Sequence, residues 1–243
     1  MIELDSVTKR FERLTAVERV SLQIQSGEVL GLLGENGAGK TTLMRMMATI
    51  LTPTEGEIVI NGFSVRHQQV EVRRQIGILF GGEIGLYNRL TARENIAYFG
   101  QLYGIAPDRL ARRIEELSEM LEMQDYLDRR VGGFSRGMKQ KVAIARVLVH
   151  DPQIVLLDEP TTGLDVGAAS IFRALIRQMK AAGKTILFSS HHMGEIEKLC
   201  DRVAIMHCGR LCYEGTLPRL RAMYGFTDLD ELFLQVLEKE GER

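Results

Sequence analysis

The stretch from Gly34 to Thr42 has the residue types and the spacing to hold a phosphate chain. It fits the template of Gly, four residues, Gly, Lys, then Ser or Thr. Glycines let a backbone curl until several N–H groups point at one anion, and a helix that begins there adds its positive end. In this template Lys40 reaches the outer phosphates and the hydroxyl of Thr41 binds Mg2+. The candidate phosphate-binding residues are Gly34, Asn36, Gly37, Ala38, Gly39, Lys40, Thr41 and Thr42.

Two acids and a histidine follow apolar runs further along the chain. The apolar run 154–157 is followed directly by Asp158 and Glu159. A buried parallel strand has this pattern, and acids at its C-terminal end lie where open α/β sheets bind ligands. Asp158 could hold Mg2+, and Glu159 could act as general base towards a water. His191, after another strand-like run, could contact the last phosphate or orient the water, although most histidines at strand ends are structural.

Weaker candidates are an aromatic residue and a second loop-to-helix junction. Phe11 lies near the end of a strand-like stretch, where it could stack on a base or simply pack on the surface. Ser135 and Gly137 precede a strongly amphipathic run, so they mark a second potential anion site at a helix start. The alternating stretch that carries His207 and two cysteines favours a strand over a metal site.

The surrounding patterns predict an α/β fold that positions these residues. Alternation over residues 2–7 and 20–24 predicts strands of a sheet with one solvated face, and the run 29–33 predicts a buried strand. A long helical region begins at Thr91, where a capping-box pattern stands. Apolar residues then recur at helical spacing at Leu110, Ile114, Leu117 and Leu121. We therefore expect a helical lobe near residues 85–150 and a C-terminal helical tail near residues 215–243.

Length and composition set limits on the class of protein. A chain of 243 residues with 45% hydrophobic and 26% charged residues can form one sizeable globular unit. The net charge of -1 argues against a nucleic-acid partner. No apolar run approaches the roughly 18–20 residues of a membrane span, so we expect any membrane role to come through a partner.

In order and spacing, these stretches resemble the nucleotide-binding subunit of ABC transporters over the whole chain. The resemblance identifies 34–42 as the Walker A motif, 154–158 as Walker B and Glu159 as the catalytic base. It identifies 134–138 as the signature loop, in which Ser135 and Gly137 are retained while positions 136 and 138 depart from the family pattern.

The same resemblance gives roles to three further residues. It implies that Asp165 belongs to the D-loop, that His191 is the switch histidine and that Phe11 stacks on adenine. The family normally has a Gln after the strand that ends near Phe80, but this chain continues with glycines and Glu83. That loop and its surroundings are similar to the ATPase subunit of bacterial sodium-exporting ABC transporters, and Glu83 is a candidate to replace the Gln.

The resemblance implies an ATP-hydrolysing protein with a P-loop NTPase core sheet, an N-terminal antiparallel β portion and an inserted helical lobe. It implies ATP and Mg2+ as ligands, a second ATPase chain that completes each site, and an integral membrane permease on whose cytoplasmic side the chain sits. Na+ is the expected export substrate, with drugs, lipids or polysaccharide as alternatives. A soluble ABC ATPase that acts on ribosomes or DNA, and a P-loop GTPase or kinase, are the other classes considered. No Asn-Lys-x-Asp motif of a GTPase occurs in the chain.

Overall fold

The computed structural model describes residues 1–81, 85–162, 164–190, 193–225 and 228–241. The strands in these ranges are β1 (Ile2–Phe11), β2 (Leu14–Ile24), β3 (Val29–Leu33), β4 (Glu55–Ile60), β5 (Phe63–Ser64), β6 (Ile76–Leu79), β7 (Ile154–Leu157), β8 (Thr185–Ser189), β9 (Arg202–His207) and β10 (Arg210–Gly215). The helices are α1 (Lys40–Met47), α2 (Gln69–Gln75), α3 (Ala92–Leu102), α4 (Pro107–Met120), α5 (Arg136–Leu148), α6 (Val166–Ala181), α7 (Met193–Leu199), α8 (Leu217–Tyr224) and α9 (Leu229–Gly241).

The first sheet is antiparallel and has the strand order β2-β1-β4-β5. Ile2 of β1 pairs with Ile24 of β2 on one side and with Ile60 of β4 on the other, and all three side chains are fully buried. The neighbouring polar residues Glu3 and Gln23 are half-buried and exposed, respectively, as expected for strands with one face on the core. The predicted N-terminal antiparallel portion is thus confirmed, with strands longer than the alternating stretches.

The second sheet has the order β10-β9-β3-β8-β7-β6 and is parallel except for its last pair, β9 and β10. Every residue of β3, β7 and β8 is buried. Hydrophobic packing on both faces explains why these strands read as continuous apolar runs. Because parallel strands end on the same edge, Leu33, Leu157 and Ser189 bring the residues that follow them to one place.

Three helices, α3 to α5, lie between β6 and β7 in the chain, as the helical pattern predicts. The capping box is confirmed: the Thr91 hydroxyl accepts the N–H of Glu94, whose carboxylate accepts the N–H of Thr91. Three residues of this helical portion, Ile96, Leu117 and Ile144, belong to one buried cluster that also contains Phe188 of β8. The helical portion and the second sheet therefore share a hydrophobic core.

Two helices of the described chain, α2 and α7, were not predicted. Residues 74–80 look like a strand in the sequence, but Arg74 and Gln75 form the last turn of α2, and β6 begins only at Ile76. Val72 is the single buried residue of α2, so the helix has no apolar stripe that its sequence could display. At the other end of the chain, the strand expected at His207 is β9, which pairs with β10, and the helices α8 and α9 follow. In the part of the chain that the structure describes, no helix combines the length and the apolar character of a membrane span.

Candidate active site

The phosphate-binding loop lies between the end of β3 and the start of α1, at the edge where the parallel strands end. Its last glycine, Gly39, has φ +102°, and a Cβ there would lie 2.5 Å from the carbonyl oxygen of Ala16. Both the backbone angle and the close approach of β2 therefore require glycine at this position. Lys40 follows as the first residue of α1, so that the helix N-terminus faces the loop.

The side chain of Lys40 turns back into the loop and is buried. Its ammonium donates to the carbonyl oxygens of Gly34, at 2.6 Å, and Glu35, at 3.0 Å. Burial lowers the pKa of Lys40, and the nearby carboxylates of Glu159 and Asp158 oppose that shift. A buried cation thus lies inside the loop, close to two acids from another strand.

Asp158 links the loop to the strand that carries the acids. It is 4% exposed, and its two carboxylate oxygens have different partners. The Thr41 hydroxyl donates to one oxygen at 2.7 Å, and the Ser189 hydroxyl donates to the other at 2.7 Å. The sequence separates Thr41 and Asp158 by 117 residues, yet the ends of β3 and β7 bring them into contact. Together they offer a hydroxyl and a carboxylate oxygen at one point.

Glu159 has a backbone conformation that is uncommon for a residue with a side chain. Its φ is +46°, in the left-handed region. Its N–H donates to the Ser189 hydroxyl at 2.8 Å, and its carboxylate accepts the Thr162 hydroxyl at 3.1 Å. This turn directs the acid towards the phosphate-binding loop, because Glu159 lines the cavity in front of it.

That cavity has a volume of about 540 Å³. It brings together most of the predicted phosphate-binding residues and Glu159; its lining residues from these sets are Asn36, Gly37, Ala38, Gly39, Lys40, Thr41, Thr42 and Glu159. Two other stretches also line it: residues 14–16 at the start of β2, and the turn at Cys208 and Gly209. Sequence reasoning missed both, because they reach the site only through packing of the first sheet and the β9–β10 hairpin against the loop.

Two backbone hydrogen bonds hold the turn at Cys208 and Gly209 against the loop and β2. The N–H of Gly209 donates to the carbonyl of Ala38 at 3.1 Å, and the Gly209 carbonyl accepts the N–H of Glu18 at 2.8 Å. Gly209 has φ +80°, and a Cβ there would lie 2.9 Å from the carbonyl oxygen of Ala16. One glycine with a clear steric role at this site thus lies outside the sequence motif.

Phe11 lies beside the cavity but is not among the residues that line it. It is 40% exposed, pairs across the strand hairpin with Leu14, and has the Lys9 ammonium 5.1 Å from its ring centroid. Leu14, which is 64% exposed, lines the cavity instead. Phe11 is therefore a cross-strand neighbour of a residue that lines the cavity.

Ser135 and Gly137 do not line the cavity at the phosphate-binding loop of the same chain. Ser135 caps α5 and accepts the N–H of Met138 at 3.3 Å. A Cβ on Gly137 would lie 3.6 Å from the Cβ of Ala168, near the start of α6. Asp165 caps that helix by accepting the N–H of Ala168 at 2.8 Å, and it too lies outside the cavity lining. The residues His191, Gly82, Glu83 and Gly163 fall outside the described residues.

A larger cavity, of about 1250 Å³, lies between α2, α3 and α4 and contains none of the predicted site residues. Its guanidinium groups come from two helices, and they are Arg73, Arg74, Arg109, Arg112 and Arg113. Two carboxylates, Glu116 and Asp151, also line it, and Arg113 lies within 3.5 Å of both. This cavity is separate from the phosphate-binding loop.

Comparison with known proteins gives a consistent result. The family model described as ABC transporter matches residues 17–162. The ABC transporter ATP-binding protein NatA of Bacillus subtilis (strain 168) is 52% identical over 241 residues, which are 98% of each chain.

Solved structures agree with this match. The structure of an ATP-binding subunit of an ABC transporter superimposes with a TM-score of 0.90 at 31% identity, over 97% of this chain and 99% of that one. The dimeric post-hydrolysis state of the ATP-binding cassette MJ0796, bound to ADP and Pi, gives a TM-score of 0.80 at 28% identity, over 89% and 99%. The phosphate-binding loop is bonded to Asp158 at the end of β7, and this chain belongs to the ABC transporter family, among its ATP-binding subunits.

Proposed function

We propose that this chain binds and hydrolyses ATP with Mg2+ and so powers an export system whose permease is a separate protein. The observation that carries the proposal is the contact between Thr41 and Asp158, with Glu159 beside them at the cavity wall. Proteins that bind and cleave a nucleoside triphosphate need a phosphate cradle, oxygen ligands for a cation and an acid that faces an attacking water. The loop, Thr41 with Asp158, and Glu159 would take these three roles.

The phosphate chain would lie along the loop, on the backbone N–H groups at residues 37–42. Lys40 would exchange its two carbonyl partners for phosphate oxygens, and would keep a positive charge beside them. Thr41 and Asp158 fit Mg2+, since both present hard oxygen ligands and already meet at 2.7 Å. When bound there, Mg2+ supplies charge neutralisation on the phosphates.

Glu159 would act as the general base. Its carboxylate lines the cavity, while the Thr162 hydroxyl and the backbone bond to Ser189 limit its movement. It can accept a proton from a water positioned for attack at the last phosphate. The prediction that His191 also contacts this phosphate or orients the water remains part of the proposal.

We also propose that two chains form the active assembly. The dimeric MJ0796 cassette is the relevant similarity. Ser135 and Gly137 lie away from the cavity of their own chain, as expected if they act on the nucleotide of the second chain. Asp165 would lie at the same chain–chain contact, and Phe11 would stack on the adenine at the rim of the cavity.

The division of the chain follows from the same proposal. In this proposal residues 85–150 would be the helical lobe with the signature loop, and residues 215–243 would be the C-terminal tail. The chain would attach as a peripheral subunit to the cytoplasmic side of the membrane through an integral permease. The substrate proposed is Na+, on the resemblance to sodium-exporting subunits, with drugs, lipids or polysaccharide as alternatives. Glu83 is proposed to act in the loop that transmits motion to the permease.

The test of the hydrolytic function uses Glu159→Gln. Removing the base should cut hydrolysis by about 10²- to 10⁴-fold while ATP still binds, because the loop and Lys40 are unchanged. With ATP and Mg2+ the variant should accumulate as a dimer on size-exclusion chromatography. A wild-type chain that turns over GTP but not ATP, or a variant with the wild-type rate, would contradict the proposal. Co-expression with the cognate permease then tests ATP-dependent Na+ efflux separately.

A further inference from the structure

Ser189 ends the strand that separates the phosphate-binding strand from the acid-bearing strand. In the second sheet β8 lies between β3 and β7. Ser189 pairs with Leu32 of β3, and the preceding Phe188 pairs with Leu157, the last residue before the two acids. The side chain is fully buried. A hydroxyl at this position therefore lies between the two halves of the site.

The hydroxyl of Ser189 is used twice. It donates to one carboxylate oxygen of Asp158 at 2.7 Å, and it accepts the backbone N–H of Glu159 at 2.8 Å. The other Asp158 oxygen accepts the Thr41 hydroxyl at 2.7 Å. Both oxygens of Asp158 are thus fixed, and the carboxylate can turn only if one of these bonds breaks.

The second bond holds a backbone conformation that needs support. Glu159 has φ +46°, which residues with a Cβ adopt rarely. Surrounding contacts must maintain such a strained backbone conformation. Strained conformations of this kind are found most often at functional sites. In this conformation the N–H of Glu159 donates to the Ser189 hydroxyl at 2.8 Å. The same oxygen therefore orients one acid and holds the backbone of the next.

We propose that Ser189 is a positioning residue for ATP hydrolysis. It acts through Asp158 and Glu159, and its bonds set the direction of the first carboxylate and the turn that carries the second. This inference rests on the proposed hydrolytic function. It predicts an effect on the catalytic step and on the requirement for Mg2+, with little effect on nucleotide affinity, since Ser189 does not line the nucleotide cavity.

The variant Ser189→Ala removes the shared oxygen. We expect kcat to fall about 10- to 100-fold, the range that corresponds to one hydrogen bond to a charged group. The KM for ATP should stay within about threefold, and the Mg2+ concentration for half-maximal activity should rise. Ser189→Thr restores a hydroxyl and should recover part of kcat and of the Mg2+ response.

Thr185→Val is the matched control, because Thr185 lies at the other end of the same strand. It is buried, and its hydroxyl accepts the backbone N–H of Gly27 at 3.0 Å. This variant removes a buried hydroxyl that accepts a backbone N–H, but this hydroxyl bonds to neither Asp158 nor Glu159. We expect a similar decrease in Tm for Thr185→Val and Ser189→Ala, but a loss of kcat only in the second.

Three outcomes would overturn the inference. They are a kcat of Ser189→Ala within twofold of wild type, equal losses of kcat in Ser189→Ala and Thr185→Val, or a fall in ATP affinity that accounts for the whole loss of activity. If Ser189→Thr does not fold, the comparison of Ser189→Ala with Thr185→Val still decides. A wild-type chain without ATPase activity contradicts the proposed function, whereas an active wild type with an equally active Ser189→Ala contradicts this inference alone.

Discussion

At Lys40, burial and neighbouring charge act in opposite directions. Burial lowers the pKa of its ammonium, while Glu159 and Asp158 favour the charged form. A buried ammonium is useful where a phosphate chain must bind, because it makes charge-assisted hydrogen bonds to phosphate oxygens. The phosphate-binding loop could be predicted from a short stretch of sequence, because the loop, Lys40 and the start of α1 are adjacent in the chain.

Lys40→Ala should therefore weaken ATP binding by one or two charge-assisted bonds, each worth about 1.5–3 kcal/mol, and abolish turnover. Binding can be measured by calorimetry and turnover by phosphate release. The control is Lys180→Ala, which removes an exposed lysine of α6 whose ion pair with Asp201 lies away from the cavity. Undiminished hydrolysis in Lys40→Ala would show that the loop does not hold the phosphates.

At the scale of elements, the sequence predicted the strands and helices that have a clear pattern of their own. A strand covered on both faces is a continuous apolar run, as in β3. The start of α3 was predicted from the capping box of Thr91 and Glu94. By contrast, α2 buries only Val72 and gives no periodic signal. The contacts of residues 14–16 and of Gly209 with the phosphate-binding loop depend on how the sheets pack, which no local pattern encodes.

Thr91→Ala tests whether the α3 cap supports the fold without taking part in the chemistry. Losing an N-cap hydroxyl should lower the free energy of unfolding by about 0.5–2 kcal/mol. ATP affinity should be unchanged, since Thr91 does not line the nucleotide cavity. Urea denaturation measures the first quantity and calorimetry the second. Thr91→Ser, which keeps a capping hydroxyl, should lie near wild type; an equal loss in both variants would reject the capping explanation.

At the scale of the whole molecule, the fold separates the two candidate anion sites of one chain. The phosphate-binding loop and Glu159 line one cavity, and Ser135 and Gly137 at the start of α5 do not line it. The sequence placed both on helix starts, but only the fold shows that Ser135 is absent from the cavity of its own chain. Two chains in the proposed arrangement would complete two sites.

Mixing two inactive variants tests this arrangement. Ser135→Arg should block closure by bulk and charge, while its own loop still binds ATP. Combined with Lys40→Ala chains, it forms heterodimers in which one composite site carries both defects and the other carries neither. We expect partial ATPase activity to return on mixing, measured against each variant alone. A fully active Ser135→Arg homodimer would contradict the sandwich arrangement.

The two carbonyl bonds of Lys40 have a consequence for the energetics of nucleotide binding. Its ammonium donates to the carbonyl oxygens of Gly34 and Glu35. Phosphate oxygens that bind Lys40 would replace these acceptors, so the net gain at that nitrogen is smaller than the full strength of the new bonds. The same two bonds also stabilise the fold of the loop, so Lys40→Ala should lower the thermal stability of the chain as well as its affinity for ATP.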